Sequence, residues 1–140
     1  DPQNKRTAIN LTKIGRQEKT VFRYVHLDPD ERFIDPEKEL LLRAFNEVSR
    51  GSGFYTFSLK DGKLTKLVMD NYRFGAVVKA RNANRLLYTR QSFREFPDVW
   101  TADTRLQGAK KITNVNPQMK NYFWGNVELV RWTSLDNIPL

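Results

Sequence analysis

The feature that most constrains this chain is a strand-and-turn phrase that it writes twice. In the first copy, Glu39 to Phe45 (ELLLRAF) is a compact apolar run. Asp35-Pro36 precedes it and Ser49-Arg50-Gly51-Ser52-Gly53 follows it, which favours a buried strand over a helical turn. Gly53 to Leu59 then alternates, with Phe54, Thr56 and Ser58 on one face and Tyr55, Phe57 and Leu59 on the other. Lys60-Asp61-Gly62-Lys63 predicts a tight type I′ hairpin, because Asp-Gly tolerates positive φ, and Leu64 to Met69 is the return strand. Ahead of this copy, Thr20 to Leu27 is rich in β-branched and aromatic residues and stops at Asp28-Pro29-Asp30. The second copy runs through Phe74–Ala80, a turn at Asn82-Ala83-Asn84, Arg85–Arg90, Val99–Thr104 after Pro97 and Asp98, a turn at Gln107-Gly108, and Ala109–Thr113. No amphipathic helix longer than two turns is evident.

Overlaid, Leu40-Leu41-Leu42 falls on Leu86-Leu87-Tyr88, Tyr55-Thr56 on Trp100-Thr101, Gly62 near Gly108 and Leu67 on Ile112. The period is about 45 residues, the length of a four-stranded propeller blade, with a one-residue slip that hairpin turns absorb. A β-sandwich or meander with similar hairpins is the competing architecture. The expected fold class is all-β: about two four-stranded antiparallel β-propeller blades, a partial propeller. Residues 1–19 are expected to be an edge strand or linker from a preceding blade, 20–72 one blade and 73–117 the next. Trp100 is expected to pack between them, and 113–117 to carry the chain onward.

Composition narrows the function classes. One ordinary domain fits 140 residues, and 39% hydrophobic with 12% aromatic content can build a core. No apolar run approaches the roughly 18–20 residues of a membrane helix, so no membrane partner is expected. The polar start, Asp1 to Arg6, is no signal peptide. Without Cys there are no disulfides and no thiolate metal sites. The net charge of +8 raises nucleic acid as a partner, but cations such as Arg43, Arg50, Lys60, Lys66, Arg81 and Arg105 are scattered. Many alternate with apolar residues, as on the wet face of a half-buried strand. No nucleic-acid partner is expected.

Acyl transfer needs a nucleophile, a base and an oxyanion hole. Gly51-Ser52-Gly53 lacks the spacing of a nucleophile elbow and reads as a loop. His26, the single histidine, precedes every serine that could serve, opposite to the hydrolase-fold order, and reads as a solvated or packed strand residue. Asp28, Asp30, Glu31 and Asp35 could offer oxygen ligands to Ca²⁺, yet their spacing is not that of an EF-hand and two prolines mark a solvated turn. Zinc and a phosphate-cradling loop find no residues; Gly15 and Gly75 are isolated. Asn10-Leu11-Thr12 is a formal glycosylation sequon, meaningful only in a secreted eukaryotic product. The strand aromatics read as packing residues. Lys120 to Gly125, with Tyr122, Phe123 and Trp124, is the best exposed aromatic patch. No catalytic, cofactor-binding or metal-ligating residue is assigned, and no cofactor is expected.

The stretches FIDPEKELLLRAFNEVSRGSGFY and RLLYTRQSFREFPDVWTADTRLQGAKKITNVNPQ resemble the last propeller blades of the prolyl oligopeptidase family of serine peptidases, most nearly its bacterial dipeptidyl-peptidase-IV-like and acylaminoacyl-peptidase-like members. The ending, Asn116-Pro117-Gln118 and then Val127 to Leu140, resembles the crossover to that family's α/β-hydrolase domain. Asn137 stands where the family's turn has Gly, and Asn also tolerates positive φ. The resemblance covers the chain from about Val21 onward. It implies that 118–140 is the crossover, that the Ser-Asp-His triad belongs to a hydrolase domain outside this chain, and that the chain itself is not an enzyme. The family's amine-holding Glu pair has no match here. The implied function is a non-catalytic propeller fragment that shapes access of peptide substrate to an active site. Its implied partners are the parent's own hydrolase domain and, through exposed blade faces, further copies of the fragment. The implied setting is bacterial: periplasmic, secreted or cytoplasmic. The alternative is a freestanding basic β-rich module that binds peptide, carbohydrate or nucleic acid. A small intact enzyme is disfavoured, because no base and nucleophile can be paired.

Overall fold

The structure, a computed structural model, describes residues 9–140. Asp1 to Arg6, read above as a polar start, lie outside the described residues. The fold is all-β, with two four-stranded antiparallel sheets in strict chain order. Sheet A holds β1 (Thr20–Tyr24), β2 (Leu40–Asn46), β3 (Ser52–Phe57) and β4 (Leu64–Asp70). Sheet B holds β5 (Arg73–Lys79), β6 (Leu86–Gln91), β7 (Asp98–Ala102) and β8 (Lys110–Lys111). Two residues, Asn71 and Tyr72, carry the chain from one sheet to the other.

The duplication seen in the sequence reappears in the pairing register. In sheet A one row across the strands reads Tyr24, Leu42, Tyr55, Lys66; in sheet B the matching row reads Val77, Tyr88, Trp100, Lys111. Leu41 opposes Thr56 as Leu87 opposes Thr101. The overlay of Leu40–Leu42 on Leu86–Tyr88 and of Tyr55-Thr56 on Trp100-Thr101 therefore joins positions that occupy the same place in each sheet. Both sheets carry one irregularity. An extra residue on β4 shifts the register beside Phe54 and Tyr55, and another on β5 shifts it between Phe74 and Val77.

The register also fixes which faces meet. Leu41, Arg43, Phe54 and Thr56 share one face of sheet A, called the forward face here. Leu86, Tyr88, Trp100 and Ala102 share one face of sheet B. These two faces form the core, in which Leu41 and Phe54 pack with Phe74, Leu86, Tyr88 and Ala102. The Phe54 and Phe74 rings meet edge to face at 5.3 Å, a favoured aromatic geometry. Trp100 lies half-buried against this cluster, between the sheets. By register, the sheet A counterparts of Tyr88 and Trp100 are Leu42 and Tyr55, on the face of sheet A turned away from sheet B. The forward face of one sheet thus meets the rear face of the next, and the two copies stack head to tail.

The rear face of sheet A is covered by the N-terminal segment. Expected as an edge strand or linker, this segment carries a one-turn helix, α1 (Ile14–Gln17), across the sheet. A Cβ on Gly15 would stand 2.7 Å from the Thr20 carbonyl oxygen and 3.3 Å from the Phe22 ring, so only glycine permits this approach. Behind it Leu42, Ala44 and Phe57 are buried. Among the described residues the forward face of sheet B exposes Val78, Leu87 and Ile112.

Two local expectations are corrected. The Asp61-Gly62 turn is not type I′. That turn needs two residues at positive φ, and only Gly62, at 67°, has it. The loop is wider: Gly62 N–H donates to the Ser58 carbonyl and Ser58 N–H to the Lys63 carbonyl. The last strand is also shorter than Ala109–Thr113. Ile112 N–H still donates to the Val99 carbonyl, but Val99 N–H donates to the Thr113 hydroxyl instead of a backbone oxygen, which ends the ladder.

Candidate functional site

At one end of the inter-sheet seam the β2–β3 loop, the Asn71-Tyr72 link and the end of β6 converge on a cleft of about 590 Å³. Its charged lining is Arg43, Arg50 and Arg73, with no carboxylate. None of the three makes an ion pair among the described residues. Arg43 comes from the centre of the apolar run ELLLRAF, which turns its side chain toward sheet B. Its guanidinium donates to the Phe74 carbonyl at 3.0 Å and to the Gly75 carbonyl, and lies 5.7 Å from the Phe54 ring centre. Burial, reinforced by the positive charge of Arg73, lowers the Arg43 pKa below its ordinary value. Arginine stays protonated through such shifts, which is why it can serve here.

Arg50 sits at the end of the β2–β3 loop with φ of 62°, and its guanidinium reaches over Phe45. Asn46 fixes that loop. Its side-chain oxygen accepts from the Val48 and Ser49 N–H groups, while its amide donates to the Glu18 carbonyl and the Thr20 hydroxyl. Arg73 opens β5 and is solvent-exposed. Phe45, Tyr72, Phe74 and Phe93 supply apolar wall, and Gln91, Ser92 and Asn71 supply polar groups. The arrangement can hold an anionic group beside an apolar one. Of the lining hydroxyls, that of Ser52 donates to a backbone carbonyl and that of Tyr72 to the Glu95 carboxylate.

Behind the cleft is an ion-paired cation. Arg90 is sandwiched between Tyr72 at 4.0 Å and Trp100 at 3.7 Å, and pairs with Glu95 at 3.1 Å. Glu95 also accepts from the Tyr72 hydroxyl. A second cluster centres on Asp98, which is 3% exposed. Its carboxylate accepts from the Lys111 ammonium at 2.6 Å, the Thr113 hydroxyl at 2.7 Å and the Val115 N–H at 2.8 Å. Those bonds to its charged form hold its pKa down at about 2.

The residues weighed from sequence are kept apart. His26 is exposed, and its Nε2 lies 3.1 Å from the Glu31 carbonyl. Ser52 belongs to β3 rather than to a loop, and its hydroxyl donates to the Tyr72 carbonyl at 2.5 Å. Gly53 is also within β3, where a Cβ would overlap the Val68 carbonyl oxygen. The acidic stretch serves local structure. Asp28 accepts from the Asp30 N–H, Asp35 from the Glu37 N–H, Glu31 pairs with Lys38 and Asp30 with Arg81. Among the described residues no group of three carboxylate or histidine side chains is placed to hold a metal.

Tyr122 and Phe123 are exposed, Phe123 fully, while the Trp124 indole N–H donates to the Met119 carbonyl and its ring meets Phe93. In the sequence Arg43 and Arg50 look like part of a solvated strand face, and nothing marks Arg73. The one available signal was a charge in the middle of an otherwise apolar strand. No protein-family model, curated protein or solved structure matches this chain.

Proposed function

We propose that this chain is the non-catalytic end of a β-propeller in a serine peptidase of the prolyl oligopeptidase kind, two successive blades and the crossover toward a hydrolase domain. In that setting it walls the path by which peptides reach an active site elsewhere. The observation that carries the reading is the head-to-tail stacking of two register-matched sheets. A sandwich of two copies related by a two-fold axis buries like faces against each other; blades placed around a ring bury forward face on rear face. The final segment fits a crossover. Trp132 and Leu140 exchange backbone hydrogen bonds, and Asn137, at φ of 59°, ends the turn between them. Phe123, Val127, Val130, Trp132 and Leu135 are exposed there, as expected of a segment that docks on a further domain.

Fluorophosphonate labelling of the natural gene product tests this. Label on a serine beyond Leu140 is the expected result. Absence of label, or label within residues 1–140, refutes it. The second reading, a freestanding basic binding module, draws on the arginine cleft and predicts a natural product with no labelled serine.

A further inference from the structure

We infer that the cleft between the sheets is a binding site for an acidic peptide segment, a carboxylate side chain flanked by an aromatic or aliphatic one. The inference stands on the cleft alone and holds under either reading of the whole protein.

Three guanidinium groups line one recess with no carboxylate among them. Like charges drawn together without a counter-ion repel, and a partly desolvated one such as Arg43 suffers more. Elsewhere six cations, Lys38, Lys60, Arg81, Arg90, Arg105 and Lys111, have carboxylate partners. An incoming anion would complete this group in the same way. Arg43 is committed to the Phe74 and Gly75 carbonyls, so it sets the field while Arg50 and Arg73, both exposed, are free to close on the ligand. A planar guanidinium matches a carboxylate with two parallel hydrogen bonds.

The walls decide between anions. Phe45 and Phe93 are partly exposed at the rim, which a bare inorganic ion leaves wet and an apolar side chain covers. A nucleic-acid strand needs a track of cations along its backbone. Here the three arginines converge on one compact recess, with polar uncharged groups around it. A short peptide with acidic and aromatic side chains satisfies both the charge and the wall.

The test is fluorescence anisotropy with labelled Phe-Glu-Glu-Glu, with Phe-Gln-Gln-Gln as neutral control and single-stranded oligothymidylate as rival. The acidic peptide is expected to bind, to weaken as salt rises, and to lose about tenfold or more of its affinity in Arg50→Glu/Arg73→Glu. Arg85→Glu/Lys110→Glu makes the same change in net charge at the far end of sheet B and is expected to lose far less. If the charge-reversed pair fails to fold by circular dichroism, Arg50→Gln/Arg73→Gln takes its place. Equal weakening by both pairs, equal binding of the glutamine peptide, or no binding at millimolar peptide overturns the inference. So does tighter binding of oligothymidylate through the same two arginines.

Discussion

Asp98 shows how one side chain can close a sheet. It stands at the start of β7, buried, and gathers Lys111 from β8 and Thr113 and Val115 from the segment that follows it. The last strand is therefore held by a carboxylate as much as by its two-residue ladder. Because the folded pKa, about 2, lies below the ordinary aspartate value of about 3.9, the carboxylate stabilises the fold at every pH above the higher value. That contribution disappears as pH falls from about 4 toward about 2. Thermal melts followed by circular dichroism should show stability falling through that window. Asp98→Asn should melt lower at pH 7 and lose much of the slope between those pH values; an unchanged slope would assign it to other carboxylates. The sequence offered Asp98 only as a residue leading into a strand after Pro97, because nothing local distinguishes a solvated Asp from one that anchors a segment fifteen residues on.

At the level of the strands and turns, glycine positions separate two kinds of close approach. At Gly53 a Cβ would run into the backbone of β4, at the Val68 carbonyl and Met69 Cα, beside the register shift. Backbone cannot step aside, so Gly53→Ala should cost about 1–3 kcal/mol by denaturant titration. At Gly75 the obstruction is the Thr89 hydroxyl and Cβ, opposite the irregularity in β5. A side chain can turn to another rotamer, so Gly75→Ala should cost about 1 kcal/mol or less. Equal costs at the two sites would mean that sheet B is as unyielding as sheet A. The turns were legible in part. Gly62, Gly108 and Asn137 all adopt the positive φ their residue types favour. Leu106 adopts 59° with no such preference, and is held by the Asp103 carbonyl, which accepts from the Leu106 N–H. No propensity points to that residue.

For the molecule as a whole, the consequence of head-to-tail stacking is an unfinished stack. The rear face of sheet A has a cover in the N-terminal segment, while the forward face of sheet B shows Val78, Leu87 and Ile112 to solvent. Exposed β-rich apolar surface with no partner drives association. Sedimentation velocity should show the chain forming concentration-dependent oligomers, and Val78→Lys/Leu87→Lys should return it to a monomer with its circular dichroism unchanged. A wild-type chain that stays monomeric across the accessible concentration range would show that this face tolerates water.

By itself the sequence determined the class of fold, the strand order within each copy and the duplication, because strand alternation and turn residues are local and their spacing repeats. Pairing registers were not legible in the same way: the Asp61-Gly62 loop is wider than a two-residue turn, and each sheet carries an extra residue that shifts its register. Tertiary structure alone decided which faces meet, and with that the meeting of Arg43, Arg50 and Arg73 across 30 residues of chain in one recess. It also decided that Asp98 is buried while His26 is left in water. These are contacts between elements distant in the chain, set by the packing of two sheets, and packing depends on shape and burial that no short window of residues contains.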